Sequence, residues 1–353
     1  PRATGHIPEQ LEAIEKMIEA GLAYEVNGSV YFDVSKDPEY GKLSNRSFEE
    51  MQEGARVEVR QEKRNPQDFA LWKKAEAGHL MRWRDSYSGW GYPGWHTECA
   101  VMSTRYLGDS FDIHGGGMEL KFPHHDCEIS QAKGLGKPFA NYWMHNNMLT
   151  IDGQKMSKST GNFVTLIDAF EQHDPLAVRY FIAASHYRSV VDYSENALKT
   201  AGASLKRLHQ TVRTLRERKP ADQKPSGTWF QEIRQRFESA MDDDFSTPQA
   251  FAALFDLNRE VNSMLASEDP NPEAMADAES LFSVLGGEVL GIIPEKIESG
   301  ESDQRLNDVM QVMIDLRNQF REEKNFQGAD MIRDRLAEAG IQLKDSREGT
   351  NWE

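Results

Sequence analysis

The sequence predicts an α/β sheet domain followed by a helical bundle and a small terminal module, on three observations. Between Gly91 and His145 helix-like and strand-like patterns alternate, as they do in parallel sheets. After Asn162 apolar residues recur at spacings of three and four with few interruptions. Two Pro-rich breaks, "KPADQKPSG" and "ASEDPNPEA", and the polar stretch "ESGESDQ" at 298–304 then divide the helical half. At 353 residues the chain exceeds the usual size of a single core, so several domains are expected.

The elements follow in order. "PRATGHIPEQLEAIEKMIEAG" reads as a loop feeding an amphipathic helix with Leu11, Ile14, Met17 and Ile18 on one side. "GLAYEVNGSVYFDVS" is a hairpin around Asn27-Gly28, the dipeptide that best tolerates a tight turn with positive φ. "YGKLSNRS" and "KRNPQDFALWKK" are irregular connections in the same small mixed unit. "WHTECAVMSTRYLG" predicts a helix, "SFDIHGGG" a strand ending in glycines, "FPHHDCEISQAKGLG" a helix opened by Pro123, and "ANYWMHNNMLTID" a strand. Three long helical patterns follow, with Ser194 and either Ser246 or Thr247 as caps.

Hydrophobic content of 39% with 28% charged residues is that of an ordinary globular chain, and no apolar run approaches the ~18 residues of a membrane span. A net charge of -16 opposes nucleic acid globally, but binding answers to local patches. "KRLHQTVRTLRERK" is such a patch: Lys206, Arg207, Arg213, Arg216, Arg218 and Lys219 would either track phosphates or form a solvated helix face. Cys99 and Cys127 cannot make a disulfide framework and no leader-like stretch precedes them, so a reducing, cytoplasmic location is expected. A monomer is the default expectation.

Three groups of residues carry chemistry. "QKMSKSTGN" places Lys155 and Lys158 on a turn beyond a strand, where mobile ammonium groups can meet charge developing on a polyphosphate. Gly115, Gly116 and Gly117 end a strand, where a nucleotide could approach the backbone, with His114 and Glu119 beside them; a tight turn without ligand reads equally. His124 and Glu128 are four apart on one helix face, and Cys99 lies on another helix, so three metal-ligand types can converge. A buried small thiol and a packed histidine would also account for them. Cys127 and His125 are rival ligands, set aside because neither shares the face of both His124 and Glu128.

The pentapeptide "KMSKS" resembles the second signature of class I aminoacyl-tRNA synthetases. With "GWHTEC", "FDIHGGGMELKFPHHDCE", "YWMHNNML", "HYRS", "MDDDFSTP", "KRNPQDFALWK" and the closing "GTNW", the chain is similar to cysteinyl-tRNA synthetases over essentially its whole length. That resemblance implies the second half of a class I Rossmann-type catalytic domain with an inserted connective α/β unit, then a helical bundle and an anticodon-binding module. The expected boundaries are 1–12 for the end of the first Rossmann half, 13–88 for the insertion, and 89–150 for the second half with its zinc site. Residues 151–200 would hold the KMSKS loop and stem-contact region, 201–300 the bundle, and 301–353 the terminal module. The implied activity is ATP-dependent activation of L-cysteine to cysteinyl-adenylate and transfer to the 3′-terminal ribose of tRNA(Cys), with Mg2+ accompanying ATP.

The resemblance also implies zinc held by Cys99, His124 and Glu128 plus a cysteine from a preceding segment, with Trp95 walling the amino-acid pocket. Lys155, Lys158, His114, Gly115, Gly116 and Gly117 would bind ATP. Arg321, Phe326, Asp330, Arg333 and Asp345 fall in the family's tRNA-binding pattern, although each also suits helix surface or core. The family's first signature, a HIGH-type sequence, has no counterpart here, "TGHIP" at 4–8 not being it. The chain by itself is therefore expected to lack half an active site and to be inactive. Two other readings stand beside this one: a related cysteine ligase of mycothiol synthesis, and a tRNA-binding paralogue without catalysis.

Overall fold

The computed structural model describes residues 1–47, 62–156, 161–297, 301–346 and 349–352. The chain forms two compact units, one of residues 1–206 with 232–255, the other of 207–231 with 256–353.

In the first unit, helix α1 (Ile7–Glu19) starts on Pro8 in its first turn, where the missing N–H costs nothing, and buries Ile14 and Met17 completely. Strands β1 (Ala23–Val26) and β2 (Ser29–Phe32) form the expected hairpin, Asn27 at φ 52° and Gly28 at φ 81°. They continue into β3 (Phe69–Lys74) and β4 (Gly91–Pro93), giving an antiparallel sheet of order β1-β2-β3-β4. Its core gathers Ile7, Ile14, Met17, Val30, Phe32, Leu71 and Trp72, and also Cys127. The expected boundaries at 12/13 and 88/89 differ from this arrangement: the first cuts α1, and the second separates β4 from the sheet to which it hydrogen-bonds.

Gly94 follows β4 with its N–H on the Leu71 carbonyl, at 2.8 Å. A Cβ there would collide with the Ala70 carbonyl, so glycine lets the chain pass tightly over β3 before helix α2 (Trp95–Leu107) begins. Strand β5 (Ser110–Gly117), helix α3 (Asp126–Gly134) and strand β6 (Phe139–Asn146) then form a parallel β-α-β unit, with Ser110 through Gly117 registered against Phe139 through Asn146. Two expectations are corrected here. Pro123 does not open the helix: Lys121–His125 form an irregular turn with Phe122 extended, and regular α3 starts at Asp126. The strand expected over 139–151 is broken after Asn146, because Asn147 turns to bond the Tyr187 and Arg188 carbonyls at 2.8 and 2.9 Å.

The chain then enters a separate sheet of order β8-β7-β9, formed by β7 (Leu149–Ile151), β8 (Gln154–Lys155) and β9 (Val191–Tyr193). Between β8 and β9 lie α4 (Leu166–Gln172), opened by a capping box of Thr165 and Asp168, and α5 (Pro175–Ala183), capped by Asp174. Helix α6 (Glu195–Arg218) begins with Ser194 Oγ accepting the Ala197 N–H, as the sequence suggests. Helices α7 (Gln231–Asp242) and α8 (Thr247–Leu265) follow. The boundary expected at 200/201 falls inside α6, and the bundle expected over 201–300 is shared between the two units.

The second unit adds α9 (Pro272–Leu281), α10 (Glu301–Glu322), α11 (Phe326–Glu338) and a hairpin of β10 (Leu343–Ser346) with β11 (Gly349–Trp352). Met310, Ile332 and Leu336 form a terminal core supported by Met313, Phe320 and Trp352, while Leu316 points outward at 39% exposure. Asp277 is buried and its carboxylate accepts the backbone N–H groups of Ser226, Gly227, Thr228 and Trp229.

Phe32 stacks on Phe69 with ring centres 4.9 Å apart and is almost fully buried. Phe32→Ala should lower unfolding free energy by about 3–5 kcal/mol, measured by denaturant titration.

Candidate active site and metal centre

The site is assembled by three backbone choices described above: the tight passage at Gly94, the glycine end of β5, and the turn before α3. The first aims Trp95 and Cys99 from the first turns of α2. The third places His124 just ahead of α3 and Glu128 in its first turn. Glu128 is fully buried. Its two oxygens stand 3.1 Å from His124 Nε2 and 3.3 Å from His114 Nε2, yet neither contact has the alignment of a hydrogen bond.

The ligand atoms of Cys99, His124 and Glu128 lie within 4.8 Å of one another, so the three residues singled out from spacing come together. Cys127, the rival, faces the antiparallel sheet's core and meets the Tyr40 hydroxyl at 3.6 Å. Setting His125 aside because of its face is corrected: His114, His125 and Glu128 form a second triad within the same 4.8 Å limit. His125 Nδ1 in turn lies 2.8 Å from His145 Nε2. The doublet "PHH" was the available signal, since one histidine on each side of a helix-entry turn can reach the same buried carboxylate.

Gly116 has a structural reason for lacking a side chain. A Cβ there would lie 2.7 Å from Cε1 of His125, so the glycine makes room for that imidazole. At Gly117 a Cβ would collide with the Glu119 carboxylate, and at Gly115 it would lie 3.4 Å from the Met144 carbonyl oxygen. Trp95 is 62% exposed, with its ring edge-on to His124 at 4.5 Å, and so stands at the open side of the cluster.

The electrostatics are those of a buried site. Burial, followed by the negative charges of Glu128 and Glu98, pushes the Cys99 thiol up to about 12. Burial and the neighbouring His124 hold His96 down to about 3, and burial also holds His125 down to about 4. Burial works to raise Glu128, but the imidazoles of His114 and His124 outweigh it and keep the carboxyl below its ordinary value. An anionic carboxylate without a hydrogen-bond donor among the described residues, beside a thiol and an imidazole, is a donor set suited to a divalent ion of intermediate softness such as zinc.

Lys155 is the second residue of β8, registered opposite Thr150; Lys158 lies outside the described residues. A cavity of about 620 Å³ is lined by Met144, Met148, Met156, Ile182, Tyr187 and Phe245 among others, next to the root of the lysine loop. Of the basic patch on α6, Arg216 is consumed by Glu279 and the carbonyls of Pro294 and Glu295, and Arg218 by the Leu265 carbonyl. Those two therefore brace the second unit instead of lining a free phosphate track. In the terminal module Arg321, Phe326, Asp330 and Arg333 are exposed, Arg333 pairing with Asp330 at 3.2 Å, and Asp345 belongs to β10.

Comparison with known proteins joins these features. The family described as "tRNA synthetases class I (C) catalytic domain" matches residues 1–203, and the "DALR domain" matches residues 236–294. A cysteine–tRNA ligase of Chlorobaculum tepidum is 50% identical over the whole chain, which covers 73% of that protein. The chain belongs to the cysteine–tRNA ligase family. Members from Deinococcus radiodurans and Thermus thermophilus are 48% and 45% identical over the whole chain, which covers 72% and 74% of their lengths. Solved structures extend the likeness of fold alone. A methionyl-tRNA synthetase of Mycobacterium tuberculosis matches with a TM-score of 0.54 at 13% identity, over 84% of this chain and 74% of that one. A structure described as an arginyl-tRNA synthetase of Campylobacter jejuni matches at 0.53 and 12%, over 84% and 63%. Among the described residues no helix is long and apolar enough to cross a membrane.

Coordination by Cys99 requires its thiol to lose a proton, so zinc uptake should release one, and protons should compete with the metal. Because the thiol is pushed up to about 12, apparent zinc affinity is expected to weaken about tenfold for each unit the pH is lowered across the neutral range, followed by competition with a chromophoric chelator. Cys99→Ser should flatten that dependence and weaken binding; an unchanged profile would exclude Cys99 as a ligand.

Proposed function

We propose that the gene product carrying this chain activates L-cysteine with ATP and transfers it to the 3′-terminal ribose of tRNA(Cys). The cysteine carboxylate attacks the α-phosphorus of ATP, cysteinyl-adenylate forms and pyrophosphate leaves. A ribose hydroxyl of the tRNA then attacks the activated carbonyl and adenylate departs. The observation that carries this reading is the buried, donor-less Glu128 beside Cys99 and His124 at the carboxyl end of a β-α-β unit in a chain of this family.

Cys99, His124 and Glu128 would hold zinc, whose chemistry supplies preferential coordination of a substrate thiolate over a hydroxyl. An apolar pocket separates cysteine from serine poorly, because the two differ by little in size. Trp95, exposed beside His124, would close one wall of the amino-acid pocket. The backbone at Gly115, Gly116 and Gly117 would let ATP approach, and Gly116 also leaves room for the His125 imidazole. Lys155 and Lys158 would neutralise charge that grows on the phosphates during attack. Arg321, Phe326, Asp330, Arg333 and Asp345 would contact the anticodon end of the tRNA through a module with its own core. Reduced thiols at Cys99 and Cys127 suit the cytoplasm.

Lys158→Ala in the complete gene product should slow cysteine-dependent pyrophosphate exchange by about 10²–10³-fold with little change in KM for cysteine. A wild-type exchange rate would remove Lys158 from the mechanism.

A further inference from the structure

The root of the lysine loop is thinly built. Strand β8 has two residues, paired to β7 through Thr150↔Lys155 and Ile151↔Gln154 alone, and the turn between the strands carries two left-handed residues, Asp152 at φ 49° and Gly153 at φ 73°. A hairpin this short does not fix its own geometry.

What holds it is a side chain from the neighbouring parallel strand. Asp192, in the middle of β9, registers against Thr150. Its Oδ1 accepts the Thr150 hydroxyl at 2.6 Å and the Gly153 backbone N–H at 2.7 Å. One oxygen thus ties the turn of the hairpin and the residue opposite Lys155 to the same point on β9. The Thr150 hydroxyl also lies 3.5 Å from the Val191 carbonyl, and Asn147 fastens the entry to β7 onto the Tyr187 and Arg188 carbonyls. Entry and turn of the hairpin are therefore both anchored.

We propose that Asp192 is a positioning residue for the reaction: through Thr150 and Gly153 it fixes the β7–β8 hairpin, and with it the backbone from which Lys155 is presented to the phosphates of ATP. This rests on the reading of the lysine loop given above. Displacement of a charged group by about 1 Å is enough to cost up to roughly a hundredfold in rate. Both contacts use a single oxygen, which asparagine retains, so position and negative charge can be separated by mutation.

The experiment is cysteine-dependent pyrophosphate exchange on the complete gene product, with kcat and the KM values for ATP and cysteine measured for wild type, Asp192→Ala, Asp192→Asn and Thr150→Val, and thermal midpoints taken in parallel. Asp192→Ala should lower kcat roughly tenfold or more while KM for cysteine stays put. Asp192→Asn should recover most of that loss, and Thr150→Val, which removes one of the two bonds without changing shape, should fall between. Wild-type kcat in both Asp192→Ala and Thr150→Val would overturn the proposal. So would an Asp192→Asn as slow as Asp192→Ala, which would show that charge and not position matters. A rate loss that merely follows a lowered thermal midpoint in all three variants would also overturn it. Absence of exchange in the wild type would instead count against the function itself.

Discussion

A carboxylate with no exposure to water organises the candidate site of the first unit. Glu128 is fully buried, and an isolated buried charge costs several kcal/mol unless something of opposite sign or a metal meets it. The surrounding residues are arranged around that need. His124 and His114 approach one oxygen each, Cys99 comes from α2, and His125 is held within reach by the space left at Gly116 and by His145 behind it. None of these contacts completes a hydrogen bond to the carboxylate. The cluster is polar, buried at Glu128, open on the Trp95 side and, among the described residues, incomplete as a protein network, and a bound cation would complete it.

Helix α3 serves both the core and the site through adjacent residues. Cys127 packs into the core of the antiparallel sheet beside Leu71 and Trp72, while Glu128 faces the glycine end of β5. The antiparallel sheet therefore supports the site: it packs against α3 through Cys127, and through β4 and Gly94 it sets where α2 begins. Strand β4 thus belongs with the antiparallel sheet, on the near side of the boundary expected at 88/89.

Much of this was legible in the residues. The Asn27-Gly28 hairpin, α1, the parallel β-α-β unit and the convergence of Cys99 with His124 and Glu128 follow from local patterns that the structure repeats. Misread features depend on tertiary partners. The break after Asn146 arises from bonds that Asn147 makes to Tyr187 and to Arg188, the latter 41 positions away, and no local signal marks it. Arg216 and Arg218 look like a phosphate track until Glu279 and distant carbonyls claim them. Helical spacing places His124 with Glu128, but the irregular turn at 121–125 is what admits His125 as well.

If a metal at Cys99, His124 and Glu128 selects a thiol over a hydroxyl, cobalt(II) substitution will reveal it, because a thiolate bound to cobalt gives a charge-transfer absorption. The complete gene product loaded with cobalt should show a thiolate band from Cys99 that strengthens when L-cysteine is added and stays unchanged with L-serine. A spectrum without any thiolate band, or one that responds alike to cysteine and serine, would contradict it.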